Sequence, residues 1–206
     1  SPMLIFDDCD FEGAVNGIIA GNFGASGQSC VAGSRVFIQK SIHSKILKMI
    51  KERAKAIIVG DPLDKKTQVG PLATIHQVER AHDVINKSVK QGAKIVFGGK
   101  RPEHLSEGWY FEPTLLDCPN QAIDCVSTEL FAPVISAITF DTEEEAIEMA
   151  NDSDFGLGAG VFTENLARAH RVSQKIHSGI VWVNTYRAIS PISPFGGFKQ
   201  SGGSRE

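Results

Sequence analysis

Apolar and polar residues recur along the chain with two periods, one near 3.6 and one near 2, and the two alternate. Residues 3–6 are apolar throughout and read as a strand. Residues 10 to about 23 predict a helix N-capped by Asp10 and rich in Ala, Val and Ile. A short strand follows at 36–39. From 41 to about 58 the apolar positions Ile42, Ile46, Met49, Ile50 and Ala54 form one stripe. The clearest helical pattern runs from Ile75 to Gln91. Its stripe of Ile75, Val78, His82, Ile85 and Val89 steps by three and four, and Gly92 suits the C-terminal cap.

Beyond it, 94–97, 111–116 and 134–140 read as strands. Thr142 with Glu145 predicts a capping box that opens a helix through Ala150. Residues 158–162 are strand-like. Leu166, Ala169, Val172 and Ile176 give another helical stripe, ended by Gly179, and IVWVN at 180–184 has the pattern of a buried strand. Strands alternating with helices predict one α/β domain with three α/β/α layers and a mostly parallel sheet. No repeat or low-complexity tract interrupts it.

The 206 residues include 42% hydrophobic and 22% charged, which suffices for one large core. A net charge of −3 supplies no basic footprint, so neither nucleic acid nor an anionic membrane is an expected partner. No apolar run approaches the roughly 20 residues of a membrane span. The first residues, SPMLIFDDCDFEG, lack the basic start and apolar centre of a signal peptide, and also an initiator Met. The last, GGFKQSGGSRE, read as the middle of a loop, so residues 1–206 are expected to be one domain of a longer chain. The four cysteines, Cys9, Cys30, Cys118 and Cys125, form no CxxC pair, and the six histidines are scattered. Neither a structural metal nor a disulfide framework is expected, and a reducing, cytoplasmic setting is.

Three stretches carry candidate chemistry. GASGQSCVAGSR at 24–35 surrounds Cys30 with small residues. A thiolate nucleophile needs room for a carbonyl and N–H groups turned toward the oxygen that becomes negative. A buried, packed Cys fits the same residues, and both readings stay open. STELFAPV at 127–134 places Glu129 two residues before Phe131, a pair suited to a ribose and a flat ring, or to a surface acid beside a core aromatic. Asn184 closes the strand 180–184 and precedes SPFGGFKQSGG, with Phe195 in a glycine-rich turn. In open α/β sheets ligands gather at the carboxyl ends of strands, which makes Asn184 a candidate. GLGAG at 156–160 has the wrong spacing for a dinucleotide fingerprint, and His82 reads as a boundary histidine.

The order GQSCVAGSR, TELFAPV, VWVN, SPFGGFKQSG resembles the aldehyde dehydrogenase superfamily. GDPLDKKTQVGPL and NDSDFGLGAGVFT resemble it too, so the similarity covers the whole chain. The resemblance implies the Cys-bearing catalytic domain of an enzyme that oxidises an aldehyde to a carboxylic acid with NAD or NADP. Cys30 matches the nucleophile that forms a thiohemiacetal and then a thioester, and its backbone N–H matches an oxyanion donor. Glu129 matches the acid on the nicotinamide ribose, and Phe131 the neighbouring aromatic. Gln77 and Arg80 fall where some members touch the adenosine ribose. Asn184 matches a residue supporting the catalytic loop. Phe195 matches a substrate-tunnel wall, with Ser29, Val31, Arg187 and Ile189 as variable lining.

In that family a motif resembling ELGGK, with the hydrolytic base, stands before the position of Ser1. Most of the cofactor site is also upstream, and a strand that pairs between subunits follows Glu206. The resemblance therefore implies a homodimeric or homotetrameric parent and a 206-residue piece that does not complete the reaction alone. Thr128 and Ala132 replace the family's usual Glu and Gly, and the methyl at 132 is expected to shift the turn that presents Phe131. Two other readings remain: a CoA-acylating semialdehyde dehydrogenase, and a non-catalytic α/β module kept for subunit assembly.

Overall fold

The computed structural model describes residues 1–206. The strands are β1 (Pro2–Ile5), β2 (Arg35–Gln39), β3 (Lys94–Phe97), β4 (Thr114–Asp117), β5 (Val134–Phe140), β6 (Phe155–Gly156), β7 (Gly158–Phe162), β8 (Ile180–Val183) and β9 (Phe198–Lys199). The helices are α1 (Phe11–Phe23), α2 (His43–Ala54), α3 (Ile75–Lys90), α4 (Asp124–Ser127), α5 (Glu143–Asn151) and α6 (Leu166–Lys175).

Seven strands form one sheet in the order β3-β4-β5-β2-β1-β7-β8. All neighbours are parallel except β3 and β4 at one edge. Strands β1, β2 and β7 lie inside the sheet and are almost wholly apolar, as expected for parallel strands covered on both faces. Their side chains still sort by period 2. Leu4 and Phe6 pack toward α3, α4, α5 and α6, while Met3 and Ile5 pack toward α1 and α2. The result is the three-layer α/β/α domain that the alternation predicts. Phe6 and Phe140 meet edge to face at 5.2 Å in the larger core. No helix is long and apolar enough to cross a membrane.

Several elements differ from expectation for local reasons. Helix α2 stops at Ala54 rather than near 58, because the Ile58 N–H donates to Gln68 Oε1, the Ile58 carbonyl accepts from the Gln68 and Val69 N–H groups, and Val59 bridges Val69. Helix α3 has the expected length but is rotated. Its buried face is Val78, Ala81, Val84, Ile85 and Ser88, while Ile75 and Val89 are 40% and 43% exposed. The small Ala81 and Ser88 allow the close approach. The Ser88 hydroxyl donates to the Val84 carbonyl at 2.8 Å and accepts from the Cys125 N–H at 2.9 Å, so its burial is satisfied. Strand β4 begins only at Thr114, since Pro113 has no N–H to pair. At the start of α5 the Thr142 hydroxyl accepts the Glu145 N–H, but the Glu145 carboxylate reaches back to the Asp141 N–H instead of closing the box on Thr142.

An ion-pair cluster ties α5 to α6. Glu143 accepts from Arg171 Nε and Nη2 at 2.9 and 2.8 Å, and Arg168 Nε lies 3.4 Å from it. Hydrogen bonding by Arg171, reinforced by both guanidinium charges against partial burial, holds the Glu143 carboxyl below its ordinary value of 4.5. A depressed carboxyl adds stability above the unfolded-state value and loses it as pH falls through the folded one. Glu143→Gln should therefore lower the urea midpoint at pH 7. The gap to the parent protein should close as the titration is repeated below about pH 4.5.

Candidate active site

The connections that run from a helix into a following strand collect at one edge of the sheet. They are 24–34 ahead of β2, 127–133 ahead of β5, 152–157 ahead of β7 and 176–179 ahead of β8. Between them lies a cavity of about 260 Å³ whose lining includes Ser29, Cys30, Glu129 and Phe131. This is the amino edge of the parallel strands. It is the end opposite to the carboxyl end at which Asn184 stands. Here the glycine-bearing 24–34 connection and the 128–133 and 152–157 connections return to the amino ends, and they leave the space.

The Cys30 loop owes its shape to a run of left-handed residues. Ala25, Ser26 and Gly27 have φ of 54°, 56° and 72°. Only glycine adopts this region without cost, so the two non-glycines need outside anchors. The Ser26 hydroxyl donates to the Gly70 carbonyl at 2.9 Å, and Gln28 Oε1 accepts the Ala73 N–H at 2.8 Å. A turn closed by the Ala32 N–H on the Ser29 carbonyl at 2.9 Å then carries Cys30 outward. Cys30 is exposed, while Cys9, Cys118 and Cys125 are buried. The Cys30 N–H has no partner within the chain, which leaves it available to an anionic oxygen beside the sulfur.

The facing wall is the segment from α4 to Pro133. A Cβ on Gly27 would lie 2.0 Å from the Ala132 carbonyl oxygen, so the two walls touch backbone to backbone. Ala132 itself is buried, and the left-handed residue of the turn is Phe131, with φ 54° and its side chain 37% exposed. Gln77 Nε2 donates to the Phe131 carbonyl at 3.4 Å. Gln77 also closes a capping box with Thr74, through Gln77 N to Thr74 Oγ1 at 3.3 Å and Thr74 N to Gln77 Oε1 at 3.2 Å. Gln77 thus reaches the site indirectly, by tying α3 to the turn that presents Phe131. Glu129 is exposed, lines the cavity and makes no hydrogen bond within the chain. Arg35, at the start of β2, closes the base. It is buried, which lowers its guanidinium to about 10. It donates to the Met149 and Asp152 carbonyls at 2.8 and 3.1 Å, satisfying the C-terminal end of α5.

Not every candidate converges here. Ser29 lines the cavity, but Val31, Arg80, Asn184, Arg187, Ile189 and Phe195 do not. Val31 is buried against the backbone of Gly158. Arg80 is exposed on α3. Asn184 lies past the carboxyl end of β8, where Thr163 N donates to its Oδ1 and its Nδ2 donates to the Thr163 carbonyl, both at 2.9 Å. Its side chain clasps β7 rather than the Cys30 loop. The Arg187 guanidinium covers Gly24, just ahead of that loop. Ile189 is exposed, and Phe195 exchanges both backbone bonds with Glu206.

Sequence reasoning passed over Asn22, which is fully buried, lines the cavity and has no partner for either amide atom. Its signal was present: Asn22 continues the stripe of Val15 and Ile18, a polar residue on an apolar face.

The aldehyde dehydrogenase family profile matches residues 1–206. The chain belongs to this family. It is 49% identical to (Z)-2-((N-methylformamido)methylene)-5-hydroxybutyrolactone dehydrogenase of Acinetobacter baylyi, over all of this chain and 42% of that protein. It is 44% identical to the betaine aldehyde dehydrogenase of Rhizobium etli, with the same coverage. Among solved structures, the NAD+ complexes of a Staphylococcus aureus betaine aldehyde dehydrogenase and a Bacillus cereus aldehyde dehydrogenase superpose with TM-scores of 0.96 and 0.95. Each is 38% identical, over all of this chain and 41% of the other. The chain therefore spans about two-fifths of the length of these aldehyde dehydrogenases.

The Gly27 contact is directly testable. Gly27→Ala should destabilise the protein by at least about 2 kcal/mol, from left-handed strain and collision together. Ala132→Gly in the same protein should not restore the urea midpoint, because the obstructing atom is a backbone oxygen.

Proposed function

We propose that the full-length protein oxidises an aldehyde to a carboxylic acid with NAD or NADP, and that Cys30 is its nucleophile. The observation that carries this reading is the meeting of Cys30, the one exposed cysteine, with Glu129 and Phe131 around a single cavity. The Cys30 thiolate adds to the aldehyde carbon, and the unspent Cys30 N–H receives the oxygen that becomes negative. The exposed, unpaired Glu129 carboxylate fits the hydroxyls of a ribose, and the half-exposed Phe131 ring fits the flat face of a nicotinamide. A nicotinamide held by Glu129 and Phe131 would supply the hydride acceptor for the thiohemiacetal carbon, and loss of that hydride would leave a thioester on Cys30. Water then releases the acid and the thiol.

We infer further that these 206 residues do not complete that cycle alone. Glu129 is the only carboxylate lining the cavity, and no His lines it, so no second group is present to serve as base for the water. Strand β8 ends the sheet with no strand paired on its outer side, which fits a homodimer or homotetramer joined along that edge. Four free thiols fit a reducing compartment such as the cytoplasm.

The test is Cys30→Ala in the full-length protein. NAD(P)-dependent aldehyde oxidation should fall on the order of 10³-fold or more, the scale lost when a nucleophile is removed, with the urea midpoint unchanged. Full retained activity would show a packed thiol in an assembly module instead. Activity that requires coenzyme A would identify the acylating chemistry.

A further inference from the structure

Two other sulfurs sit close together behind the cavity wall. Cys118, just past the end of β4, and Cys125, in α4, have their Sγ atoms 3.4 Å apart, both buried. The backbone on each side is held. Cys118 N donates to the Ala137 carbonyl at 2.8 Å, Cys125 N to the Ser88 hydroxyl at 2.9 Å, and the Ser136 hydroxyl to the Cys125 carbonyl at 2.8 Å. The two sulfurs therefore meet by construction across the segment CPNQAIDC. A disulfide spans about 2.05 Å, so the pair needs to close by only about 1.4 Å. Cys125 also lines the Cys30 cavity, whereas Cys118 does not. A small reagent entering the cavity meets Cys125 first, with Cys118 directly behind it.

We propose that Cys118 and Cys125 form a reversible dithiol–disulfide pair, oxidised by hydrogen peroxide that reaches Cys125 through the cavity. The Cys125 thiolate attacks the peroxide O–O bond, forms a sulfenic acid and releases water. The Cys118 sulfur then attacks the Cys125 sulfur, the S–S bond forms and a second water leaves. The two thiols lose two electrons and two protons, and one peroxide becomes two waters. The geometry favours this order, because Cys125 lines the cavity and Cys118 does not; the thiol–thiol hydrogen bond between them also holds Cys125 below the ordinary thiol range. The same bond, with burial, pushes Cys118 up. Closure draws on Cys125 in α4, four residues ahead of Glu129, so oxidation is coupled to the wall of the cavity.

The experiment treats the full-length protein carrying Cys30→Ser with limiting hydrogen peroxide and maps its thiols by peptide mass. The expected product links the peptides of Cys118 and Cys125, loses two hydrogens, reverts with dithiothreitol and forms at least about tenfold faster than Cys9 oxidises. With Cys118→Ser added, dimedone should trap a sulfenic acid at Cys125. Free Cys118 and Cys125 after Cys9 has oxidised would overturn the proposal, and so would an unreacted Cys125 in the Cys118→Ser protein. In the protein with all cysteines present, a Cys30–Cys125 link in place of Cys118–Cys125 would overturn it as well.

Discussion

The arrangement of the cavity depends on one backbone contact, that of Gly27 with the carbonyl of Ala132. No side chain fits between them. The approach sets the separation between the loop that carries Cys30 and the turn that carries Phe131. Everything needed to keep it comes from flanking groups. Ser26 and Gln28 hold one side through the 70–73 segment, and Gln77 holds the other through the Phe131 carbonyl. Four residues in left-handed backbone, three of them not glycine, stand within this small region. Such strain persists where the surroundings over-determine the loop, and it clusters at functional sites.

The position of the cavity follows from the sheet. The connections at the carboxyl ends are short, as at 40–42, 141–142 and 163–165, whereas the amino edge receives longer ones such as 24–34. Arg35 links this edge to the core. Its guanidinium leaves the cavity floor to satisfy the end of α5, and it stacks over Phe37 at 5.0 Å. The floor is thus rigid, while the mouth, with Cys30 and Glu129, stays open to solvent. A held base below an accessible thiol suits the covalent chemistry proposed for Cys30.

Much of the fold was legible because the apolar periods are strong. β1, β2, β5, β7 and the existence of every helix of nine or more residues follow from them. The rotation of α3 was not legible, since Ala81 and Ser88 look neutral in a sequence and gain their role only from what packs on them. The site was legible in part. Cys30, Ser29, Glu129 and Phe131, all singled out in the sequence, line one cavity. Asn184 does not, because a strand end carries no mark of which sheet edge will be used. The tie of Gln77 to Phe131 spans 54 positions, and no local pattern encodes it. Asn22 was overlooked because one amide in an apolar helix stripe reads as tolerance rather than as a buried wall.

The account stands on Cys30 being a presented, reactive thiol. The direct measurement is the rate at which iodoacetamide alkylates each of the four cysteines of the folded full-length protein, followed by peptide mass. Cys30 should label first, at least about tenfold ahead of Cys9, Cys118 and Cys125. Labelling of Cys30 at the same rate as those buried thiols, or more slowly, would contradict it.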